Sequence, residues 1–189
     1  MAVHVSILES KTDRLLTGEE ALALGNIGPY ELIEGRIVRM SPTKHPHGKH
    51  EYRLAKILGD FVDEHLLGEV QTGEVGIYVR RNPDTVRAAD VLFISTARLA
   101  QASPNSFLDV APELVVEIVS PDDRWSEIRR KIREYCAAGV NLVLVVDPEE
   151  QTITAHRSPT QTHTYTTADT LTLEDILPGF SVPVSELFS

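Results

Sequence analysis

A chain of 189 residues with 42% hydrophobic content can bury one substantial core but is short for two. Its one cysteine, Cys136, excludes an intramolecular disulfide framework and any multi-cysteine zinc site, which fits a reducing cytoplasm. A formal net charge of −10 repels a phosphate backbone and argues against broad, non-specific nucleic-acid binding, so a nucleic-acid partner requires locally clustered bases.

Such clusters exist at Arg80, Arg81 and Arg87, at Lys44 and Lys49, and at Arg129, Arg130 and Arg133, although each taken alone reads as ordinary solvated charge. No stretch approaches the roughly 20 apolar residues needed to span a bilayer, so the expectation is a cytoplasmic protein with no membrane partner.

The first 16 residues read as a loosely tied arm, and 17–189 as one domain. Thr17 followed by Glu20 is a capping box that opens a short helix through Leu24, ended by Gly25. Strands are predicted at 30–33 and 36–40, joined through Glu34-Gly35. Leu54, Ile57, Leu58, Phe61 and Val62 recur at helical spacing and predict a long amphipathic helix over 47–66, stopped by Gly68. A β-rich stretch follows at 69–72, 75–80 and 90–94, with a turn at Asn82-Pro83-Asp84.

The nearly unbroken β-branched run at 114–119 predicts a central strand buried on both faces. A turn at 120–123 leads into a helix over 126–138 that stops at Gly139, and 141–146 is a second buried strand. Strand, helix, strand suggests a crossover with parallel pairing. Shorter strands at 152–157 and 163–166 complete an α/β domain with a mixed β-sheet flanked by helices.

Glu117 is the anomaly in this pattern. It interrupts Leu-Val-Val-Glu-Ile-Val on the face of Val115 and Val119, where an ionised group is costly unless paired or metal-bound. Asp90 places a second carboxylate where the chain enters another strand, and two carboxylates from neighbouring strands can share one hard cation. On the 126–138 helix, Ile128, Ile132 and Tyr135 define the inward stripe. Lys131 falls within that stripe, while Arg129, Arg130 and Arg133 point elsewhere. Taken alone, Glu117 and Lys131 are equally compatible with a buried ion pair that only satisfies two charges, and Asp90 with a turn residue. The three together favour a site.

Tyr30-Glu31-Leu32-Ile33-Glu34-Gly35, Met40-Ser41-Pro42, His47-Gly48, Asp90-Val91, Val116-Glu117-Ile118-Val119-Ser120-Pro121, Lys131, Ala137-Ala138-Gly139-Val140 and Leu177-Pro178-Gly179-Phe180 together resemble the Uma2 family of restriction endonucleases, within the PD-(D/E)XK superfamily. The resemblance implies a restriction-endonuclease-like core in which Asp90 and Glu117 bind Mg²⁺ or Mn²⁺ and Lys131 assists an attacking water. It also implies a nucleic-acid substrate, DNA before RNA, and a homodimer. Glu31 and His47 match family positions as ancillary metal or water contacts, although Glu31 also reads as an outward strand residue and His47 as a helix-start residue. Ala89 stands where the superfamily has proline, and Val119 where it has the motif lysine; the resemblance transfers that lysine's role to Lys131.

Two rival readings remain from the sequence. One is a non-catalytic interaction or regulatory domain that keeps the fold and its buried charges, which the acidic balance supports. The other is hydrolysis of a smaller phosphate ester, which needs the same metal chemistry without a long basic track. His45, His47 and His50 with Lys44 and Lys49 also suggest a metal or phosphate patch.

Overall fold

The computed structural model describes residues 14–42 and 45–189. Lys44 and most of the predicted arm lie outside the described residues. Leu16, at the arm's end, donates its N–H to the Gly35 carbonyl at 2.9 Å. Helix α1 (Gly18–Ala23) starts at Thr17 with both halves of the predicted capping box, since the Thr17 hydroxyl accepts from the Glu20 N–H and the Glu20 carboxylate accepts from the Thr17 N–H.

Strands β1 (Tyr30–Ile33) and β2 (Arg36–Arg39) form the predicted hairpin. Helix α2 (His45–Glu64) buries Leu54, Leu58 and Val62 on one stripe. The two short strands predicted at 69–72 and 75–80 are one strand, β3 (Gly68–Arg80), and its partner β4 (Thr85–Ser95) begins earlier than the sequence pattern implies. Their ladder slips between Thr72 and Val75, so that Gly73 and Glu74 together oppose Asp90. Both residues of this bulge take positive φ, 87° at Gly73 and 61° at Glu74.

After a four-residue helix α3 (Thr96–Leu99), β5 (Leu114–Ile118) pairs antiparallel with β4 and parallel with β6 (Leu142–Asp147), as the crossover through α4 (Trp125–Ala138) requires. Gly139, at φ 99°, ends α4 in the left-handed conformation that glycine adopts without strain. Strands β7 (Thr152–His156) and β8 (Thr162–Tyr165) extend the sheet, giving the order β2-β1-β4-β5-β6-β7-β8 with β3 on the other side of β4. A small second sheet of β9 (Thr170–Thr172) and β10 (Ser181–Pro183), with α5 (Val184–Phe188), closes the chain. This is the α/β class with a mostly antiparallel mixed sheet.

The two faces of the sheet are covered differently. One carries Val91, Phe93, Val116, Ile118, Leu144 and Val146 against α2 and the closing segment. The other carries Ala89, Leu92, Val115, Val143 and Val145 against Ile128, Ile132 and Tyr135 of α4. Ala89 and Leu92 share a face although they are three apart, so the strand's alternation slips at Asp90, opposite the β3 bulge.

Candidate active site

The site occupies a fork in the sheet. Along one edge of β4, β1 pairs at Val86 and β5 pairs at Val91 to Phe93, so the intervening stretch lacks a strand on that side. Its backbone groups are satisfied by side chains instead. Glu31 accepts the Ala88 N–H at 3.2 Å, and Lys131 Nζ donates to the Ala88 carbonyl at 3.4 Å. The Asp90 carboxylate accepts the Ile118 N–H at 2.7 Å, which ties the end of β5 to β4.

Val91 faces Val116 in the β4–β5 ladder, and continuing that register sets Asp90 opposite Glu117. Two like charges directly opposite are unfavourable without a compensating cation. Lys131 supplies part of the compensation: its Nζ lies 2.7 Å from Glu117 Oε2 and 3.3 Å from Glu31 Oε1. The Tyr135 hydroxyl donates to Glu117 Oε1 at 2.7 Å. Lys131 and Tyr135 stand one helical turn apart on α4, which is why the predicted inward stripe delivers both to one carboxylate.

Behind Lys131 lies a second layer of charge. Arg87, only 1% exposed, bridges Glu31 at 2.7 Å and Glu134 at 2.6 Å, and Glu134 also accepts from Arg130 at 2.9 Å. Although Arg87 clusters in sequence with Arg80 and Arg81 as a candidate phosphate contact, its burial removes it from that surface. Arg130 is likewise committed to Glu134 and Glu34, whereas Arg129 and Arg133 are exposed.

His47, in the first turn of α2, arrives from the opposite layer and sets Nε2 3.3 Å from Asp90 Oδ2. Its Nδ1 is buried without a hydrogen-bond partner, 4.0 Å from the Glu51 carboxylate. His50, also buried, turns instead toward the Leu187 carbonyl and the Phe188 ring, while His45 and Lys49 are exposed. The histidines therefore do not converge on one point. Glu31 is buried, not an outward strand residue.

The electrostatics follow from these contacts. Burial, reinforced by Asp90, pushes the Glu117 carboxyl up to about 7 against the pull of Lys131. For Lys131, burial disfavours the ammonium, yet the Glu117 and Glu31 carboxylates outweigh it and raise the pKa above the usual lysine value. Glu31 is buried too, but Lys131 and Arg87 hold its carboxyl below the usual range. The hydrogen bond to Asp90 raises His47, and burial with the Asp90 charge raises Glu74.

Among the described residues, no three His, Cys, Asp or Glu side chains converge as a closed metal cage. The donor chemistry at Asp90 and Glu117 still fits a hard divalent cation. Mg²⁺ is commonly held by one or two carboxylates with water completing its shell; Asp90 Oδ2 is taken by the Ile118 N–H and His47, whereas Asp90 Oδ1 and both Glu117 oxygens keep a lone pair beyond the bonds described.

Contacts thus join Lys131 to Glu117 and Glu31, and His47 to Asp90, which is tied in turn to the end of the strand that carries Glu117. Sequence reasoning misses Tyr135 as a Glu117 partner, Arg87 and Glu134 as a buried relay, and Glu74 in the bulge. Gly73 beside Glu74 is a readable bulge signal, whereas nothing local distinguishes Arg87 from the other arginines.

Among the described residues, no helix is long and apolar enough to cross a membrane. Comparison with curated proteins found no match. Among solved structures, a crystal structure from Anabaena variabilis ATCC 29413, described as "a putative nuclease belonging to DUF820", superposes with a TM-score of 0.77 at 20% identity, covering 92% of this chain and 97% of that one. That likeness establishes the fold. The family model described as "Putative restriction endonuclease" matches residues 19–185, and the chain belongs to this family, Uma2.

Proposed function

We propose that the protein is a metal-dependent endonuclease that hydrolyses phosphodiester bonds in nucleic acid, with Asp90 and Glu117 as Mg²⁺ or Mn²⁺ ligands and Lys131 as the catalytic lysine. The observation that carries this reading is the β4–β5 register, Val91 facing Val116, whose continuation sets Asp90 opposite Glu117, with the Lys131 ammonium 2.7 Å from Glu117. DNA is favoured over RNA through family membership alone. A homodimer is the expected assembly, as in many endonucleases of this kind, and sedimentation velocity checks it.

A bound divalent cation supplies Lewis-acid stabilisation of the scissile phosphate and a more acidic water. The chain's own residues do the rest. Glu117 and Glu31 keep Lys131 protonated and aimed into the fork. Its longest contact, 3.4 Å to the Ala88 carbonyl, is the easiest to exchange for a water or a phosphate oxygen. There the ammonium can orient the attacking water or offset charge developing on the phosphate. Tyr135 and the Ile118 N–H hold Glu117 and Asp90 in place, and His47 positions Asp90 from the far side.

A second reading, a non-catalytic interaction domain, draws support from the net charge of −10 and from the full pairing of Glu117 by Lys131 and Tyr135. One experiment separates the two: Mg²⁺ and Mn²⁺ calorimetry with cleavage of plasmid and single-stranded DNA, for wild type, Glu117→Gln and Asp90→Asn. The nuclease reading expects cation binding and cleavage in the wild type, with a loss of about 100- to 1000-fold in folded variants. Wild type that binds no cation and cuts nothing, alongside variants that fold normally, leaves the interaction reading.

A further inference from the structure

Beside the reaction centre opens a cleft of about 210 Å³, walled by Tyr30, Met40, Val86, Phe107, Glu74 and Ala88. Two of its walls belong to the site itself. Ala88 bonds Glu31 and Lys131 through its backbone, and Glu74 lies in the bulge opposite Asp90. We propose that this cleft receives one unstacked nucleobase of the strand being cut, so that the substrate is single-stranded or locally opened DNA; this rests on the nuclease reading above.

Size is the first argument. The volume is roughly that of seven liquid waters at about 30 Å³ each, below the usual range for drug-sized ligands and matched to a single planar heterocycle. Shape is the second. The Tyr30 and Phe107 rings meet edge to face, 6.4 Å apart at 81°, and offer aromatic surface to a flat ligand. Both rings are braced beforehand. The Tyr30 hydroxyl donates to the Ala21 carbonyl at 3.0 Å, and Phe107 packs against Tyr78 at 5.8 Å and over Gly76, where a Cβ would lie 2.4 Å from the ring. A preformed aromatic wall loses little side-chain freedom on binding.

The rim supplies polarity of the right kind. The Glu74 carboxylate can accept from an amino or imide N–H on a base edge. Arg39, whose guanidinium bonds the Ile27 carbonyl and lies against Gly28 of the cleft wall, is near enough to offer a charge to a phosphate of the same strand. Charge is the third argument. The net charge of −10 repels the phosphates of a duplex, and Arg87 is buried away from them. Stacking on aromatic side chains is independent of that charge and contributes about 1–3 kcal/mol per base. A base can enter only after leaving its helix, which favours strands already unpaired.

The test measures the affinity of fluorescently labelled homothymidine 12-mer and of the same strand made wholly abasic, by anisotropy in Ca²⁺, with strand integrity checked afterwards. Wild type is compared with Phe107→Leu, which keeps apolar volume but removes the ring, and with Phe107→Tyr, which keeps it. Expected is a loss of about tenfold for Phe107→Leu on the base-bearing strand, none on the abasic strand, and near wild-type affinity for Phe107→Tyr. Should Phe107→Leu fold poorly, Met40→Trp, which fills the cleft, is expected to give the same base-dependent loss. Equal effects on both strands, no effect on either, or no measurable binding of the base-bearing strand overturns the cleft assignment. Cleavage by wild type in Mg²⁺ is scored separately. Base-dependent coupling without cleavage keeps the cleft and removes the nuclease, and cleavage without coupling does the reverse.

Discussion

The two faces of strand β5 differ in kind. Val116 and Ile118 point into a layer of aliphatic side chains from α2, β6 and the closing segment, where packing alone holds the parts together. Glu117, between them in sequence, points into the α4 layer, where it meets the Tyr135 hydroxyl and where Lys131, Glu31, Arg87 and Glu134 continue a chain of paired charges beside an apolar cluster. Apolar contacts are non-directional and tolerate adjustment, whereas each member of the charged chain is tolerated only while its partners hold their positions. One face therefore supplies stability, while the other gives up some of it to hold the Lys131 ammonium between the Glu117 and Glu31 carboxylates.

That contrast can be broken at the charged face first. Lys131→Met is expected to lower cleavage by about 100- to 10,000-fold while the apolar layer stays intact, measured by single-turnover cleavage beside circular dichroism. It also carries a pH signature. Burial already raises the folded-state pKa of Glu117 to about 7, and losing Lys131 raises it further. A carboxyl raised on folding stabilises the protein below its unfolded value and loses that contribution as pH rises. Relative to wild type, the variant should therefore be closest in stability near pH 5 and fall behind toward pH 8, as read by thermal melts.

Arg87→Met tests whether the buried relay matters beyond the fork. It leaves Glu31 and Glu134 without their shared guanidinium, and a loss of about 3–5 kcal/mol is expected in urea unfolding at pH 7.5. An effect below about 1 kcal/mol would sink the idea of an interdependent chain. On the apolar face, Leu144→Ala removes a fully buried side chain and should lower stability by about 2–5 kcal/mol. Here the loss should be nearly independent of pH, which separates the two faces more sharply than the size of either loss.

The smallest effect concerns wild type alone. Cation binding needs Glu117 deprotonated, so Mn²⁺ affinity at the site should rise about tenfold per pH unit below about 7 and level off above it. A calorimetric titration at pH 6.0, 7.0 and 8.0 shows whether that slope is present; a flat profile would remove Glu117 from the ligand set.

Much of this architecture is legible in the sequence. Strand alternation around Glu117 and the helical stripe of Ile128, Ile132 and Tyr135 are enough to aim Lys131 at the sheet, because both periodicities are properties of the local backbone. The capping box at Thr17, the α4 stop at Gly139 and the parallel β5–β6 pair follow from equally local rules. Local rules do not decide what depends on which strands lie beside which. Arg87 looks like its neighbours Arg80 and Arg81 in the sequence, and only the gap between β1 and β5 along β4 makes it a buried bridge. Glu31 reads as an ordinary strand glutamate until that same gap brings it to Ala88 and Lys131. His47 meets Asp90 because α2 crosses from the opposite layer. The order of residues thus sets the elements and the inward direction of the charged side chains. Their partners, dozens of residues away, are chosen by sheet order and register, which no local period encodes.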